Sequence, residues 1–145
     1  MAAEADERGE LPLPGNEAAV GERLRRRGWR AAFTVTEMVD DWAWLVGAVE
    51  RGYDDSVDEY ANDLYCRNWL HEAWLLLDDH IVAIRTPRIR ELDERFLAAT
   101  VDDDGLALGR FHGLPHPDLW WWRRHPRVLL GDLGRSLRSA GATGT

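Results

Sequence analysis

The chain has 145 residues, of which 45% are hydrophobic and 10% aromatic, and its formal net charge at pH 7 is −8. A chain of this length and composition can bury a core as one domain, which excludes a wholly disordered protein. No apolar run is long enough to span a bilayer, and the acidic beginning MAAEADERGE differs from a signal peptide. The lone cysteine, Cys66, cannot form an internal disulfide. We therefore expect a cytoplasmic protein that makes no membrane contact.

The N-terminal segment is expected to lie outside the folded domain. Residues 1–22 are rich in alanine, glutamate, glycine and proline and contain no aromatic residue. This composition predicts a mobile, disordered acidic leader. Residues 23–140 are then expected to form a single helical domain, and residues 141–145 a disordered tail.

The first helix with clear boundary signals follows Phe33. Thr34 can cap its N-terminus, and Glu37, three residues later, completes the spacing of a capping box. Apolar residues recur at helical spacing from Met38 onwards, and Gly52 is a residue type at which helices commonly end. The pattern predicts a helix over residues 35–51.

A second helix is predicted to begin after Ser56, which stands three residues before Glu59 in the same capping-box spacing. Its early apolar residues share one side of the helical wheel, whereas those from Cys66 onwards lie on roughly the opposite side. No glycine or proline marks a break between the two sets. The pattern therefore favours a central helix that packs against one neighbour early and against another late.

The remaining elements are predicted from shorter signals. Residues 78–86 are compatible with a short helix or a turn, and Thr86–Pro87 predicts the start of another helix that ends before a turn at 102–105. A final helix after Pro126 would turn four leucines inward, namely Leu129, Leu130, Leu133 and Leu137. The predicted fold class is all-α, an irregular bundle of about five helices with a mobile N-terminal leader.

Three consecutive tryptophans, Trp120–Trp122, precede a group of arginines. No regular element can turn three consecutive indoles toward one core. We expect Trp121 to be buried and Trp120 or Trp122 to be partly exposed, where an arginine such as Arg124 could stack on a ring. Because tryptophan and arginine are enriched at the energetic centres of protein interfaces, this segment is a candidate contact surface. The predicted partner-binding residues are Trp120, Trp122, Arg123, Arg124 and Arg127.

The charge distribution leaves two interpretations of this basic segment. Residues 31–109 carry a large excess of acids, whereas residues 110–145 are basic. The basic segment either lies across the acidic helices of its own domain or presents a basic surface to an anionic partner. The acidic body would repel phosphates and no nucleic-acid-binding signature is present, which argues against nucleic acid. The expected partner is another protein.

Paired carboxylates on the two capped helices suggest a different chemistry. EMVDD places Glu37 and Asp41 about one turn apart on the first helix, and EYAND places Glu59 and Asp63 in the same way on the second. Such a set could hold Mg²⁺. The arrangement resembles the ExxE and ExxD motifs of the all-α nucleotide pyrophosphohydrolases, although neither motif matches fully. The resemblance implies magnesium-dependent nucleotide hydrolysis, whereas the same residues are also typical of solvated helix faces.

We find no sequence motif for covalent catalysis or for a phosphate-binding glycine loop. The favoured hypothesis is a non-catalytic protein-interaction or regulatory module, of the adaptor or toxin-neutralising type, that uses its Trp/Arg-rich C-terminal surface and needs no metal or cofactor. The alternative is a Mg²⁺-dependent enzyme similar to the all-α nucleotide pyrophosphohydrolases.

Overall fold

The structure of the protein, a computed structural model, describes residues 15–144. Five α-helices dominate it, which confirms the predicted all-α bundle. In chain order the elements are α1 (Glu17–Arg26), α2 (Val35–Arg51), α3 (Val57–Trp74), α4 (Asp79–Ala99), β1 (Thr100–Asp102), 3₁₀-helices at Leu108–Arg110 and Trp120–Arg123, β2 (Arg124–Pro126) and α5 (Gly131–Ser139). Most of the predicted leader, residues 1–14, and the last residue of the predicted tail lie outside the described residues.

Helix α1 shows that the predicted leader was too long. The Asn16 side chain caps the helix by accepting a hydrogen bond from the Ala19 N–H at 3.2 Å. Val20 and Leu24, four residues apart on one face, are buried, and α1 contacts α3. Residues 17–22 are therefore part of the folded domain, because this apolar pair anchors a stretch whose overall composition is polar.

Helix α2 begins and ends where its sequence predicts. The Thr34 hydroxyl accepts from the Glu37 N–H at 3.0 Å, and the Glu37 carboxylate accepts from the Thr34 N–H at 2.8 Å. At the other end Gly52 adopts a left-handed conformation with φ of 108°. The capping box satisfies two backbone donors that would otherwise lack partners, which defines the start of the helix.

Helix α3 is the central helix that its two apolar sides predict. Ser56 caps it, accepting from the Glu59 N–H at 3.1 Å. Tyr60 and Leu64 are buried early in the helix, and Trp69 and Leu70 are buried later. The helix contacts α1, α2 and α5, and Asp58, Asn62 and Tyr65 form its exposed stripe.

The predicted start of a separate helix at Thr86–Pro87 is wrong, because helix α4 continues through these residues. The two expected pieces are one helix of 21 residues, with Pro87 inside it. The Thr86 hydroxyl does not cap a new helix but accepts from the Trp74 indole N–H at 2.9 Å. Ile81 and Val82, in the first turn, pack against the core. Tertiary contacts of this kind offset the roughly 3 kcal/mol that an interior proline costs a helix.

The C-terminal segment returns to the body through a short antiparallel pairing that the sequence does not predict. Thr100 pairs with Pro126, and Asp102 pairs with Arg124. Strands of three residues carry too little alternation to be recognised from sequence. The pairing places the basic segment directly beside the acidic turn that follows α4.

The beginning and end of the last helix also differ from prediction. Leu133 and Leu137 of α5 are buried, as is Leu129 before the helix, but Leu130 is 48% exposed and does not face the core. The chain turns at Gly131, whose φ of 55° and close approach to the Asp54 backbone leave no room for a β-carbon. Beyond α5, Ala142 is buried and its N–H donates to Leu137 O at 2.9 Å. This part of the predicted disordered tail therefore packs on the domain.

Candidate functional site

The three consecutive tryptophans occupy a single turn of 3₁₀-helix, which spreads their rings around the axis. Trp121 and Trp122 are both 0% exposed, whereas Trp120 is only partly buried against Phe96. The structure confirms the predictions that Trp121 is buried and that one of its two neighbours, here Trp120, is partly exposed. The inclusion of Trp122 in a contact surface is wrong, because this indole lies in the core beneath Tyr65 and His112.

Asn68 on α3 receives both buried indoles. The Trp121 N–H donates to its side-chain oxygen at 2.7 Å, and the Trp122 N–H donates to the same oxygen at 2.8 Å. Since an indole nitrogen can only donate, the atom that both contact must be Oδ1, and the amide orientation is fixed. Asn68 itself is only 7% exposed. Its side-chain Nδ2 makes no hydrogen bond within the described residues.

The arginine that stacks on a ring of the tryptophan turn is Arg67, the neighbour of Asn68, and not Arg124 as the sequence suggested. Its guanidinium carbon lies 4.5 Å from the centroid of the Trp121 ring. The same guanidinium makes two hydrogen bonds to Asp93 on α4, at 3.0 and 2.9 Å, and Asp93 also accepts from the Trp42 indole at 3.0 Å. This partly buried network holds α2, α3 and α4 around the tryptophan turn.

The C-terminal arginines bind the protein's own body. Arg123 forms an ion pair with Asp104 at 2.8 Å, and the Arg124 Nε–H donates to the Thr100 hydroxyl at 2.7 Å. The Arg127 Nε–H donates to a backbone carbonyl of α4 at 3.0 Å. These contacts agree with the first interpretation of the charge distribution, in which the basic segment lies across the protein's own body.

Three of the five predicted partner-binding residues nevertheless meet at one place. Trp120, Arg123 and Arg124 line a hollow of about 280 Å³, which we call the tryptophan hollow. Its other lining residues are Leu97, Asp102, Asp104 and Pro117. Arg127 does not line it. The hollow combines an apolar surface with a rim of paired charges.

A larger cleft of about 690 Å³ lies between residues 27–33, α2 and α3. We call it the α2–α3 cleft. Its aromatic lining residues are Trp29, Phe33, Trp44 and Tyr65, and its carboxylates are Asp41, Asp63 and Glu72. Arg27 and Arg30 line it from the connection between α1 and α2, and Asn68 lines it from α3. Asn68, whose side-chain oxygen accepts from both indoles, is thus one of the residues that line the cleft.

Asp41 and Asp63 are the two predicted metal-ligand candidates that the cleft brings together. Burial, together with the nearby carboxylates of Glu37, Asp40 and Asp63, raises the pKa of Asp41, while Arg30 opposes the rise. Asp63 accepts a hydrogen bond from the Tyr53 hydroxyl at 2.6 Å. The cleft therefore concentrates negative charge that is only partly balanced.

The other two candidates stand elsewhere. Glu37 is used in the capping box of α2, and Glu59 is an exposed residue in the first turn of α3 that does not line the cleft. Among residues 15–144, no group of three or more histidine, cysteine or acidic side chains is arranged to hold a metal ion. The structure thus brings together two of the four predicted ligands, Asp41 and Asp63, and separates Glu37 and Glu59 from them.

Cys66 also lines the cleft, as a buried free thiol. Burial and the charges of Asp41 and Asp63 raise the pKa of its thiol. The thiol donates to the backbone oxygen of Asp63 at 3.2 Å. The thiolate is the reactive form of cysteine, and both burial and the raised pKa disfavour it here.

The residues that sequence reasoning missed are Asn68 and the aromatic walls of the cleft. One signal was present, because Tyr65, Asn68 and Glu72 follow at helical spacing and so lie on one side of α3. The orientation of Asn68 depends on residues more than fifty positions away, which no local pattern reveals.

Comparison with known proteins does not assign the chain to a family. The chain matches no protein-family model, no curated protein and no solved structure. Within residues 15–144 no helix combines the length and the apolar character that a membrane crossing requires. The functional assignment therefore depends on the cleft and the tryptophan hollow themselves.

Proposed function

We propose that this protein is a non-catalytic binding module whose principal ligand site is the α2–α3 cleft. Its volume of about 690 Å³ is that of a small-molecule or side-chain pocket. Ligand pockets usually combine aromatic walls with polar groups that orient the ligand, and this cleft has four aromatic side chains and an unusually large number of charged ones. Binding is proposed because the cleft offers aromatic faces, carboxylates and the Asn68 amide side by side as groups that can contact a ligand.

The single observation that supports this proposal is the state of the Asn68 amide. Both indoles occupy its oxygen, so its NH₂ group is the free end, and Asn68 lines the cleft. The Asn68 NH₂ group is not sealed from solvent, since the fully buried side-chain donors and acceptors without a partner within the described residues are Tyr60 Oη, Trp69 Nε1 and Arg123 Nε. A ligand oxygen in the cleft would satisfy the donor, and the two indoles hold the amide in place before the ligand arrives, which favours binding.

Nuclear magnetic resonance with a fragment library tests the proposal directly. We expect hits that shift the side-chain amide signals of Asn68 and the indole N–H signal of Trp29. The indole N–H signal of Trp120, on the tryptophan hollow, serves as the internal control and is expected to stay in place. A library screen in which no compound moves the Asn68 and Trp29 signals would contradict the proposed function.

A second binding function, recognition of another protein, is supported by the tryptophan hollow. Leu97 and Trp120 present apolar surface there, and the ion pair of Arg123 with Asp104 stands at the rim. An apolar centre with a polar rim is the usual anatomy of a protein interface.

Site-specific photo-crosslinking in cells tests this second function. A photoreactive residue at position 120 is expected to yield a discrete adduct with one partner. The control carries the same residue at Ile84, which is 65% exposed on α4 and does not line the hollow. Equal adduct patterns from the two positions would remove the support for a specific partner at the hollow.

A further inference from the structure

We infer that the α2–α3 cleft binds an organic cation, an ammonium or guanidinium group, that carries an oxygen acceptor for Asn68. This inference rests on the proposed function of the cleft and names the chemistry of its ligand. It follows from three independent features: unpaired carboxylate oxygens, aromatic walls and the free amide donor.

The carboxylates provide more acceptors than the cleft itself uses. No hydrogen bond within the described residues engages the Asp41 carboxylate, and Tyr53 occupies only one oxygen of Asp63. Glu72 accepts a long hydrogen bond of 3.4 Å from the Trp29 indole. A positive group between these side chains would be bound through charge-assisted hydrogen bonds.

The two arginines that line the cleft do not fill this role. Arg27 and Arg30 are exposed residues on the connection between α1 and α2. The Arg30 guanidinium lies over the Phe33 ring, 5.0 Å from its centroid. Three carboxylates against these two guanidinium groups leave the cleft with excess negative charge, which disfavours an anionic ligand and favours a cationic one.

The aromatic walls favour an organic cation over a metal ion. Trp44 is 58% exposed although it lines the cleft, and Tyr65 stands edge-to-face to Trp29 with a centroid distance of 6.4 Å. The faces of tryptophan and tyrosine attract ammonium and guanidinium groups within about 6 Å. Mg²⁺, by contrast, requires a shell of oxygen ligands and gains nothing from an indole.

The positions of Asp63 and Asn68 on one helix set the dimensions of the ligand. They are five positions apart on α3, which is an axial rise of about 7.5 Å and a rotation of about 140° around the helix axis. A cation bound near Asp63 would therefore have its oxygen acceptor at least about 7.5 Å away. An arginine or lysine residue has this reach between its backbone carbonyl and its charged group, as does a small amino-acid derivative.

A titration with two matched probes tests the inference. N-acetyl-L-arginine amide and N-acetyl-L-citrulline amide have nearly the same shape, but only the first is charged. We expect the arginine probe to shift the Asn68 and Trp29 signals and to bind at least about tenfold more tightly than the citrulline probe, a difference of about 1.4 kcal/mol. Equal affinity of the two probes would overturn the inference.

Substitutions in the cleft locate the cation. Asp41→Asn is expected to weaken binding of the arginine probe about tenfold, and Asp63→Asn is a second variant with the same expectation. Asp40→Asn is the matched control, because Asp40 precedes Asp41 on α2 and is exposed but does not line the cleft. Equal affinities of the Asp40 and Asp41 variants would overturn the assignment.

The source of the cation is distinguished by a third probe, the peptide Gly-Gly-Arg-Gly-Gly. Binding of the peptide as tightly as the arginine amide indicates an arginine side chain of a partner, whereas exclusion of the peptide indicates a small free cation. If fragments bind in the cleft but only neutral or anionic ones do so, the cation inference fails and the proposed binding function stands. If no compound enters the cleft, both fail.

Discussion

Tyr53 and Tyr60 are both buried close to the start of α3, but their hydroxyl groups have different surroundings. The Tyr53 hydroxyl donates to Asp63, and burial together with this carboxylate raises its pKa. The Tyr60 hydroxyl is fully buried and has no hydrogen-bond partner within the described residues, and burial raises its pKa as well. A buried hydroxyl without a partner destabilises the folded state, whereas one that donates to a carboxylate stabilises it.

The two phenylalanine variants are therefore expected to have opposite effects. Tyr60→Phe removes an unpaired polar group and should leave the free energy of unfolding unchanged or raise it by about 1 kcal/mol. Tyr53→Phe removes a hydrogen bond to a charged group and should lower it by about 1.5–3 kcal/mol. Urea denaturation measures both values. Equal losses in the two variants would show that the Tyr60 hydroxyl has a partner.

The pH dependence of stability gives a second test at the level of a single residue, Asp41. Its pKa is raised in the folded protein, so the folded state binds this proton more tightly than the unfolded state does. The charged carboxylate is consequently unfavourable at neutral pH, and this penalty disappears as the pH falls through the folded pKa toward the unfolded value.

Asp41→Asn should accordingly raise the melting temperature at pH 7 and have no such effect at about pH 3, where the carboxyl is protonated in both states. The gain is expected to be small, up to about 0.5 kcal/mol, because Asp41 is largely exposed and solvent screens its charge. Calorimetry of both proteins at the two pH values measures it. A variant that is less stable at pH 7 would mean that Asp41 has a stabilising partner.

At the scale of elements, α2 and α4 show what local sequence can and cannot predict. The boundaries of α2 depend on Thr34, Glu37 and Gly52, which interact with backbone groups within the same few residues. The continuity of α4 through Pro87 depends instead on contacts with distant residues, such as the bond from Trp74 to Thr86. Helix caps can therefore be predicted from sequence. A proline that would be expected to begin a new helix can instead lie inside a longer one when tertiary packing favours it.

Pro87→Ala distinguishes the observed single helix from the two helices that the sequence suggests. In the interior of one helix, alanine restores a backbone N–H donor and relieves a steric clash, so the free energy of unfolding should rise by about 1–3 kcal/mol. At the first position of a separate helix, proline is favourable and its loss would be destabilising. Chemical denaturation of the variant and the parent protein decides between the two signs.

At the scale of the whole molecule, the sequence predicts the fold better than the site. The helices follow from local caps and periodicity, but the cleft is assembled from the α1–α2 connection, α2 and α3, which are separated along the chain. Two of its carboxylates, Asp41 and Asp63, could be selected from sequence because they recur on adjacent helices. The role of Asn68 could not, since it requires knowledge that Trp121 and Trp122 meet it in the core.

The bonds from the tryptophan turn to Asn68 connect the C-terminal segment with the cleft. Trp122 does not line the cleft, but its indole N–H is one of the two groups that fix the cleft-facing amide. If that orientation matters for binding, a change at position 122 should weaken ligand affinity without altering any residue at the cleft surface. The tryptophan turn would then be part of the binding site through its effect on Asn68.

Trp122→Phe tests this connection, because it keeps an aromatic ring in the core and removes the N–H donor. We expect a loss of about 2–4 kcal/mol in unfolding free energy, from the lost hydrogen bond and the cavity left by the smaller ring, and roughly a threefold to tenfold weaker binding of N-acetyl-L-arginine amide. Trp120→Phe is the matched control, since it makes the same chemical change in the same turn at a ring that does not donate to Asn68. Titrations of both variants, followed through the Asn68 amide signals, separate the effects. Equal affinities would show that Asn68 is held in place without Trp122, because packing alone would then fix the amide.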